Sequence, residues 1–355
     1  MCVLSLSIIL CYTYKSPEKP GGTKMSILNS PIKIGDLTIK NRLVMPPMAT
    51  AKATDDGRVT KQICDYYHEK SFGGYIGLII TEHSYVNLEG KAGKRQISIA
   101  DDTSITRLKE LTTVIHENGT KVMAQISHAG GAANSETTGK AVYGASAYPM
   151  PKTGFIPLEM SLADIHKVIH DFTNAAIRAK QAGFDGVEIH SAHGYLLNQF
   201  YSPLTNKRTD EYNAQTLNGR LKLHKEIIKS VRNAVGDNFP IAIRLGACDY
   251  MDGGSTLQDS ITAAKLLEHA GVDLLDISGG FCGFVRPDYK EQGYFSEITQ
   301  AVKAVVNIPV ILTGGITEAD VAELLLKNGE ADLIGVGRAI MKNSLWAKEA
   351  ITKIS

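Results

Sequence analysis

The strongest constraint on this chain is a repeat of hydrophobic texture. From Met25 onward, eight short apolar runs rich in β-branched residues alternate with longer amphipathic stretches. The runs are Arg42–Met45, Ile76–Thr81, Lys121–Ile126, Gly186–His190, Pro240–Leu245, Leu274–Ile277, Pro309–Thr313 and Asp332–Val336. They are nearly continuous, the pattern of parallel strands covered by helices. Ser161 to Ala182 shows the other half of the repeat. Leu162, Ile165, Val168, Ile169 and Phe172 keep helical spacing, Ser161 with Asp164 predicts an N-terminal cap, and Gly183 predicts the stop. Val321, Leu324 and Leu325 mark another helix, ending near Gly329. Eight such units predict an α/β fold, a (β/α)8 TIM barrel. A doubly wound sheet would want an early G-x-G-x-x-G after its first strand. The nearest match, Gly73-Gly-Tyr-Ile-Gly77, precedes a strand and reads as a helix-ending turn. Ile32–Ile39, turning at Gly35-Asp36, predicts a β-hairpin cap for the barrel bottom. Gly130–Glu159 predicts an elaborated loop after strand three, on the side where long loops serve the site.

A chain of 355 residues has room for two or three ordinary domains, but the repeat predicts one domain over residues 25–355. Residues 1–24 are expected to stand apart, as a disordered or non-native extension. Val3–Leu10 is apolar but far short of the roughly 18 residues that span a bilayer. Only Met1 and Cys2 precede it, where a secretory signal would place basic residues. With 38 Lys+Arg against 37 Asp+Glu, no global charge draws the chain to nucleic acid or to a membrane. Cys2, Cys11, Cys64, Cys248 and Cys282 form no C-x-x-C pair, which argues against a disulfide scaffold or an iron–sulfur run and predicts a cytoplasmic setting.

In a barrel the strand C-termini point at the site. There the sequence offers Pro46-Pro-Met-Ala-Thr50, Thr81-Glu-His83, Gln125-Ile-Ser-His128, His190-Ser-Ala-His-Gly-Tyr195, Arg244, Thr313-Gly-Gly315 and Gly335-Val-Gly-Arg338. Gly314-Gly315 and Gly337-Arg338 each read as a turn that ends a strand and opens a helix. Such turns let a phosphate approach backbone N–H groups, and Arg338 adds a charged partner. Gln125 can both donate to and accept from an amide-like edge. Arg244 can meet a group that becomes anionic, and together the two suit the pyrimidine side of a reduced flavin. His190 and His193 share one face of a turn. No third metal ligand accompanies them, since Glu188 is expected to point to the other face of its strand. As paired N–H donors they would hold a carbonyl that gains negative charge, with Tyr195 a neighbouring phenol able to deliver a proton.

These residues resemble the old yellow enzyme family of FMN-dependent ene-reductases over about residues 27–350. The resemblance rests on Asn41-Arg-Leu-Val-Met-Pro-Pro-Met48, Gln125 through Gly130, Val187 through Phe200, Ser202 through Tyr212, Arg244, Thr313-Gly-Gly315 and Gly335 through Arg338. It implies FMN along Pro47, Met48 and Ala49, with Gln125 on its pyrimidine ring and Arg244 on its N1/O2 side. Gly314, Gly315, Gly337 and Arg338 would take the phosphate. It also implies a ping-pong reaction in which NADH or NADPH reduces FMN and an α,β-unsaturated carbonyl compound then accepts hydride. His190 and His193 would hold the carbonyl and Tyr195 would be the proton donor.

The chain departs from the family pattern in four places. Ala49 stands where a redox-tuning Cys or Thr is frequent, Gly131 where Arg is usual, and His83 where a small residue is common. The C-terminus offers no arginine of the kind some relatives lend to a partner subunit. The long family members add an iron–sulfur cluster and a second nucleotide-binding region, and neither is expected here. A second activity stays open: an NADH oxidase or NADH:flavin oxidoreductase passing electrons to oxygen or free flavin. A phosphate-substrate lyase or isomerase would want a Schiff-base Lys or paired carboxylates at strand ends, and no Lys ends strands four to six. The physiological substrate, the choice between NADH and NADPH, and homo-oligomeric assembly have no readable code.

Overall fold

The computed structural model of the chain describes residues 26–287 and 289–355. The expectation for residues 1–24 therefore falls outside the described residues. All eight expected strands form: β1 (Leu43–Met45), β2 (Leu78–Tyr85), β3 (Lys121–Ser127), β4 (Gly186–Ser191), β5 (Ile241–Cys248), β6 (Leu274–Gly279), β7 (Val310–Thr313) and β8 (Leu333–Gly335). Each pairs in parallel with the next, and β8 pairs with β1, closing the barrel. The main covering helices are α1 (Lys61–Ser71), α2 (Ile105–His116), α3 (Leu162–Gln181), α4 (Lys222–Val235), α5 (Leu257–His269), α6 (Ser296–Lys303), α7 (Ala319–Lys327) and α8 (Trp346–Ile354). In α3, Ser161 and Asp164 cap each other reciprocally, and Gly183 follows in the left-handed region at φ 85°.

Strand side chains alternate between the helices and the barrel interior. Outward residues such as Val122, Ala124, Val187, Ile189, Ile243 and Leu245 pack into the large core under the helices. Inward residues at the lower end, among them Leu78, Ile80, Met123, Leu274, Ile311 and Leu333, form a second core inside the barrel. The hairpin Ile32–Ile34/Leu37–Ile39 turns through Gly35 at φ 55° and seats the buried Ile34 and Ile39 in that inner core. Both faces are apolar at this level, which is why the runs read as continuous.

Higher up, the inward positions turn polar: Gln125, Glu188, His190, Arg244, Asp276 and Ser278. Strands β2, β5 and β6 run past their apolar stretches to Tyr85, Cys248 and Gly279. The sequence reading stops them short because side chains facing the upper interior break the hydrophobic pattern. Two further expectations need correcting. Glu188 and His190 are two apart on one strand, so both face inward, and Glu188 does not point to the other face. Gly314-Gly315 does not open a helix, because α7 starts only at Ala319; Gly337 does cap the short helix Arg338–Lys342. Among the described residues, no helix is long and apolar enough to cross a membrane.

The hairpin acts as the plug of the inner core. Ile39→Ala should lower unfolding stability by about 2–5 kcal/mol, the usual range for a fully buried Ile truncated to Ala. Urea unfolding measures it; a loss below about 0.5 kcal/mol would mean that the hairpin is not part of the core.

Candidate functional site

A cavity of about 520 Å³ opens at the C-terminal ends of the strands, a volume usual for small-molecule sites. Pro47, Met48 and Ala49 line it after β1, Gln125 from β3, and His190, His193 and Tyr195 from β4 and its turn. Arg244 enters from β5, Gly315 after β7, and Gly337 and Arg338 after β8. Eleven of the residues singled out in the sequence therefore share one cavity. Gly314 is not part of its wall. It packs against the backbone of Gly293 to Phe295, and its carbonyl accepts the Gly293 N–H at 2.6 Å. His128 is also turned away, its Nδ1 accepting the Gly130 N–H at 3.0 Å.

The turn after β4 is held in an uncommon backbone conformation. His193 lies at φ 59° and Gly194 at φ 78°, so a non-glycine residue occupies the left-handed region. Asn198 Oδ1 accepts the Gly194 N–H at 2.7 Å, and Gln199 Nε2 donates to Gly194 O and to Ala129 O at 2.7 and 3.0 Å. Gln199 Oε1 accepts from Gly131 N at 3.0 Å. One side chain thus ties the turn after β4 to the loop after β3. Arg208 continues the tie by donating to Ala145 O and Met160 O at 2.9 and 2.7 Å. This accounts for Leu196 to Asp210 as a motif: most of it positions the turn and does no chemistry.

The rings follow one another along one wall. His193 and His190 centroids are 5.2 Å apart, His190 and Tyr195 4.9 Å, and Tyr195 and His83 5.7 Å. Burial above all, with the nearby Arg244 charge opposing a further cation, drives the His190 and His193 pKa values well below the usual imidazole range, so both rings are neutral. Ser278 Oγ contacts His193 Nε2 at 2.8 Å. Burial pushes the Tyr195 phenol up to about 12, so it keeps its proton at neutral pH. The site therefore offers two neutral imidazoles and a protonated phenol around one space.

Below them lies a buried polar chain that the sequence reading missed. Gln125 Nε2 donates to Glu188 Oε1 at 2.8 Å. Arg244 Nε lies 3.2 Å from Asp276 Oδ2, off the line that a hydrogen bond needs. Glu188 Oε2 and both Asp276 oxygens lack partners as bare carboxylates among the described residues. Burial raises both acids, and Arg244 pulls hardest against that rise at Asp276. Glu188 is the acid that keeps its proton, and donating it to Asp276 partners the free Glu188 oxygen and one of the two Asp276 oxygens. A signal was present: Leu274-Leu-Asp-Ile-Ser278 carries a carboxylate in mid-strand at an inward position.

The departures from the family pattern also acquire a physical setting. A side chain at Gly131 would begin 2.8 Å from Met150 Sδ and 3.1 Å from Pro157 Cγ, so the long loop fills that space. At the far end of the cavity, Gly315 sits at φ 69°, and Arg338 has no carboxylate partner among the described residues. Arg338 Nη2 would lie 3.4 Å from a Cβ at Gly315. From the loop after β6, Phe284 and Tyr294 line the cavity. Phe281 packs on Gly194, and Tyr250 stacks on Phe295.

A model of the NADH:flavin oxidoreductase / NADH oxidase family matches residues 28–354. An NADH oxidase from Thermoanaerobacter brockii is 40% identical over 324 residues, 90% of this chain and 50% of that protein. Among solved structures, a 2-naphthoyl-CoA reductase in complex with 2-naphthoyl-CoA superposes with TM-score 0.87 at 27% identity, covering 92% of this chain and 52% of the other. An old yellow enzyme homologue from Zymomonas mobilis gives TM-score 0.81 at 28% identity and 92% coverage of both. The chain thus spans about half the length of the Thermoanaerobacter protein and of the naphthoyl-CoA reductase.

The buried acids make a contrasting pair of predictions. Glu188→Gln replaces a neutral acid by a neutral amide and should cost less than about 1.5 kcal/mol. Asp276→Asn strands the Arg244 charge and should cost about 3–5 kcal/mol. Urea unfolding of the two variants compares them; equal losses would refute the assignment of the proton to Glu188.

Proposed function

The chain belongs to the NADH:flavin oxidoreductase / NADH oxidase family, FMN-dependent oxidoreductases that draw electrons from a nicotinamide, and from that premise we propose that it reduces the activated C=C bond of α,β-unsaturated carbonyl compounds. The observation that carries this reading is the convergence of neutral His190 and His193 with protonated Tyr195 in the cavity that also holds Gln125 and Arg244.

The residues present fit FMN. The terminal nitrogens of Arg244 have no partner among the described residues and are not occluded, unlike its Nε, so they open on the cavity. Gln125 uses one Nε2 hydrogen on Glu188, which aims its carbonyl and the second hydrogen elsewhere. These groups would meet the pyrimidine edge of the flavin, and Arg338 with Gly315 and Gly337 would hold its phosphate. A Cβ at Gly315 would lie 2.7 Å from the Tyr294 ring, and one at Gly337 3.1 Å from Met48 Sδ, so the walls come close at both glycines. Pro47, Met48 and Ala49 would lie along the ring system. When bound, FMN supplies to the β-carbon of the alkene the hydride that NADH or NADPH has delivered. The order is ping-pong, the nicotinamide leaving before the alkene enters.

The protein's own groups do the rest. His190 and His193 donate to the substrate carbonyl, and those bonds strengthen as negative charge grows on its oxygen. Neutral donors suit this task because they do not bind the ground-state carbonyl as an ion would. Tyr195 gives its proton to the α-carbon. A second reading has support of its own. The Thermoanaerobacter relative is an NADH oxidase, and Ala49 offers the flavin no side-chain hydrogen bond, so electrons passing to oxygen is the alternative outcome.

Anaerobic rapid mixing separates the two. The protein should be yellow, be bleached by NADH or NADPH, and regain its colour on addition of cyclohex-2-enone. Reoxidation by oxygen alone would favour the oxidase, and a protein that takes up no FMN would refute both. Tyr195→Phe should slow the enone half-reaction by about 100-fold or more while flavin reduction holds; equal losses in both halves would exclude Tyr195 as proton donor.

The pH dependence follows from the directions of the shifts. His190 and His193 bind no proton in the folded state near their unfolded value of about 6.5. The enone half-reaction should therefore be flat from about pH 9 to about pH 6, with no Tyr195 limb below about 11. Stability should fall as pH drops through about 6.5, because the unfolded chain takes up protons that the folded one refuses. Half-reaction rates and urea midpoints across pH check both; a rate that halves near pH 6.5 would contradict the neutral pair.

A further inference from the structure

His83 stands at the end of β2, where a register shift falls between Thr81 and Ser84, and it lines the cavity beyond Tyr195. Its ring is held by Gln96, which is 5% exposed. Gln96 Oε1 accepts the Ala92 N–H at 2.7 Å, and Gln96 Nε2 reaches His83 O at 3.2 Å and His83 Nδ1 at 2.7 Å. Turning the amide over would set donor against donor at Ala92 and acceptor against acceptor at His83 O. The amide has one orientation, so Nδ1 is the acceptor and the ring proton sits on Nε2. That Nε2 has no partner among the described residues and is not an occluded atom, so it opens on the cavity. Burial keeps the ring neutral, its pKa lowered to about 4.

The row His193, His190, Tyr195, His83 thus has carbonyl-holding donors at one end, the proton source in the middle and a second N–H donor at the other. A C=C flanked by two carbonyls has the matching order of groups. We propose that His83 is a specificity-determining residue: a fixed-tautomer N–H donor that takes a second acceptor of the substrate, beyond Tyr195 from the carbonyl held by His190 and His193, and so favours ene-1,4-dicarbonyl compounds over simple enones. This inference rests on the ene-reductase reading above and adds to it a class of substrate.

The test uses the FMN-loaded protein and a matched pair, isophorone and its 4-oxo derivative. The kcat/KM ratio of dione to enone is measured for the wild type, His83→Phe and Gln96→Leu. Comparing ratios between proteins cancels the intrinsic reactivity of the two compounds. Both substitutions should lower the ratio about three- to tenfold, the worth of one neutral hydrogen bond, chiefly through KM for the dione. An unchanged ratio in His83→Phe overturns the proposal. Nitrogen-15 NMR of the wild type, with His83 identified by its loss in that variant, should show a protonated Nε2 and a bare Nδ1; the reverse overturns it too. If neither compound is reduced, the ene-reductase reading fails. The same ratio taken from dissociation constants, read by flavin absorption, then decides on His83 separately.

Discussion

A guanidinium inside a barrel needs a counter-charge, because desolvation of a lone ion costs more than any single contact returns. Arg244 has Asp276 on the neighbouring strand, and Asp276 has a protonated Glu188. Glu188 in turn accepts from Gln125. This chain crosses the interior from β6 to β3 and divides it into two levels. Below it the barrel is an apolar core closed by the hairpin; above it the interior is open and polar. The floor of the cavity is therefore also the lid of the core. With Glu188 neutral, the ionised Asp276 cancels the Arg244 charge, so the layer is neutral overall while still presenting N–H groups upward.

The second requirement is a strained turn. His193 in the left-handed region brings two imidazoles three residues apart onto the same space as Tyr195. Strain of this kind persists only where surrounding bonds over-determine it. Asn198 and Gln199 provide those bonds from the helical segment just after the turn. Chemistry and support are therefore encoded within nine consecutive residues, His190 to Asn198, plus Gln199.

Much of this was legible in the chain. The eight strands announced themselves because both of their faces are buried at the lower level, and the hairpin because Gly35-Asp36 separates two triplets of alternating apolar and polar residues. Strand ends were less legible: Glu82 and Ser278 interrupt the apolar runs of β2 and β6, and β5 runs on past Leu245 through the small residues Gly246 and Ala247. Glu188 was misplaced although alternation alone sets it on the same face as His190. Asp276 was overlooked for a different reason: a lone acid in a strand has no meaning until its neighbour across the barrel, Arg244, is known. The glycines after β7 looked like a phosphate turn, yet Gly314 serves the packing of Gly293 to Phe295, and only Gly315 reaches the cavity. Similarly, His128 resembled a site residue by position and proved to be a local backbone acceptor.

The clasp made by Gln199 and Arg208 has an evolutionary corollary. It grips the excursion after β3 near its two ends, at Ala129–Gly131 and at Ala145 and Met160. Between the grips the tip carries Phe155 and Ile156, 46% and 56% exposed. The clasp fixes the base of that tip against the turn that carries the imidazoles and the phenol, and the tip's Lys152 is felt at His193 only through its charge. Descendants of such a chain can remodel the mouth, and with it the guests admitted, while inheriting the reaction centre intact.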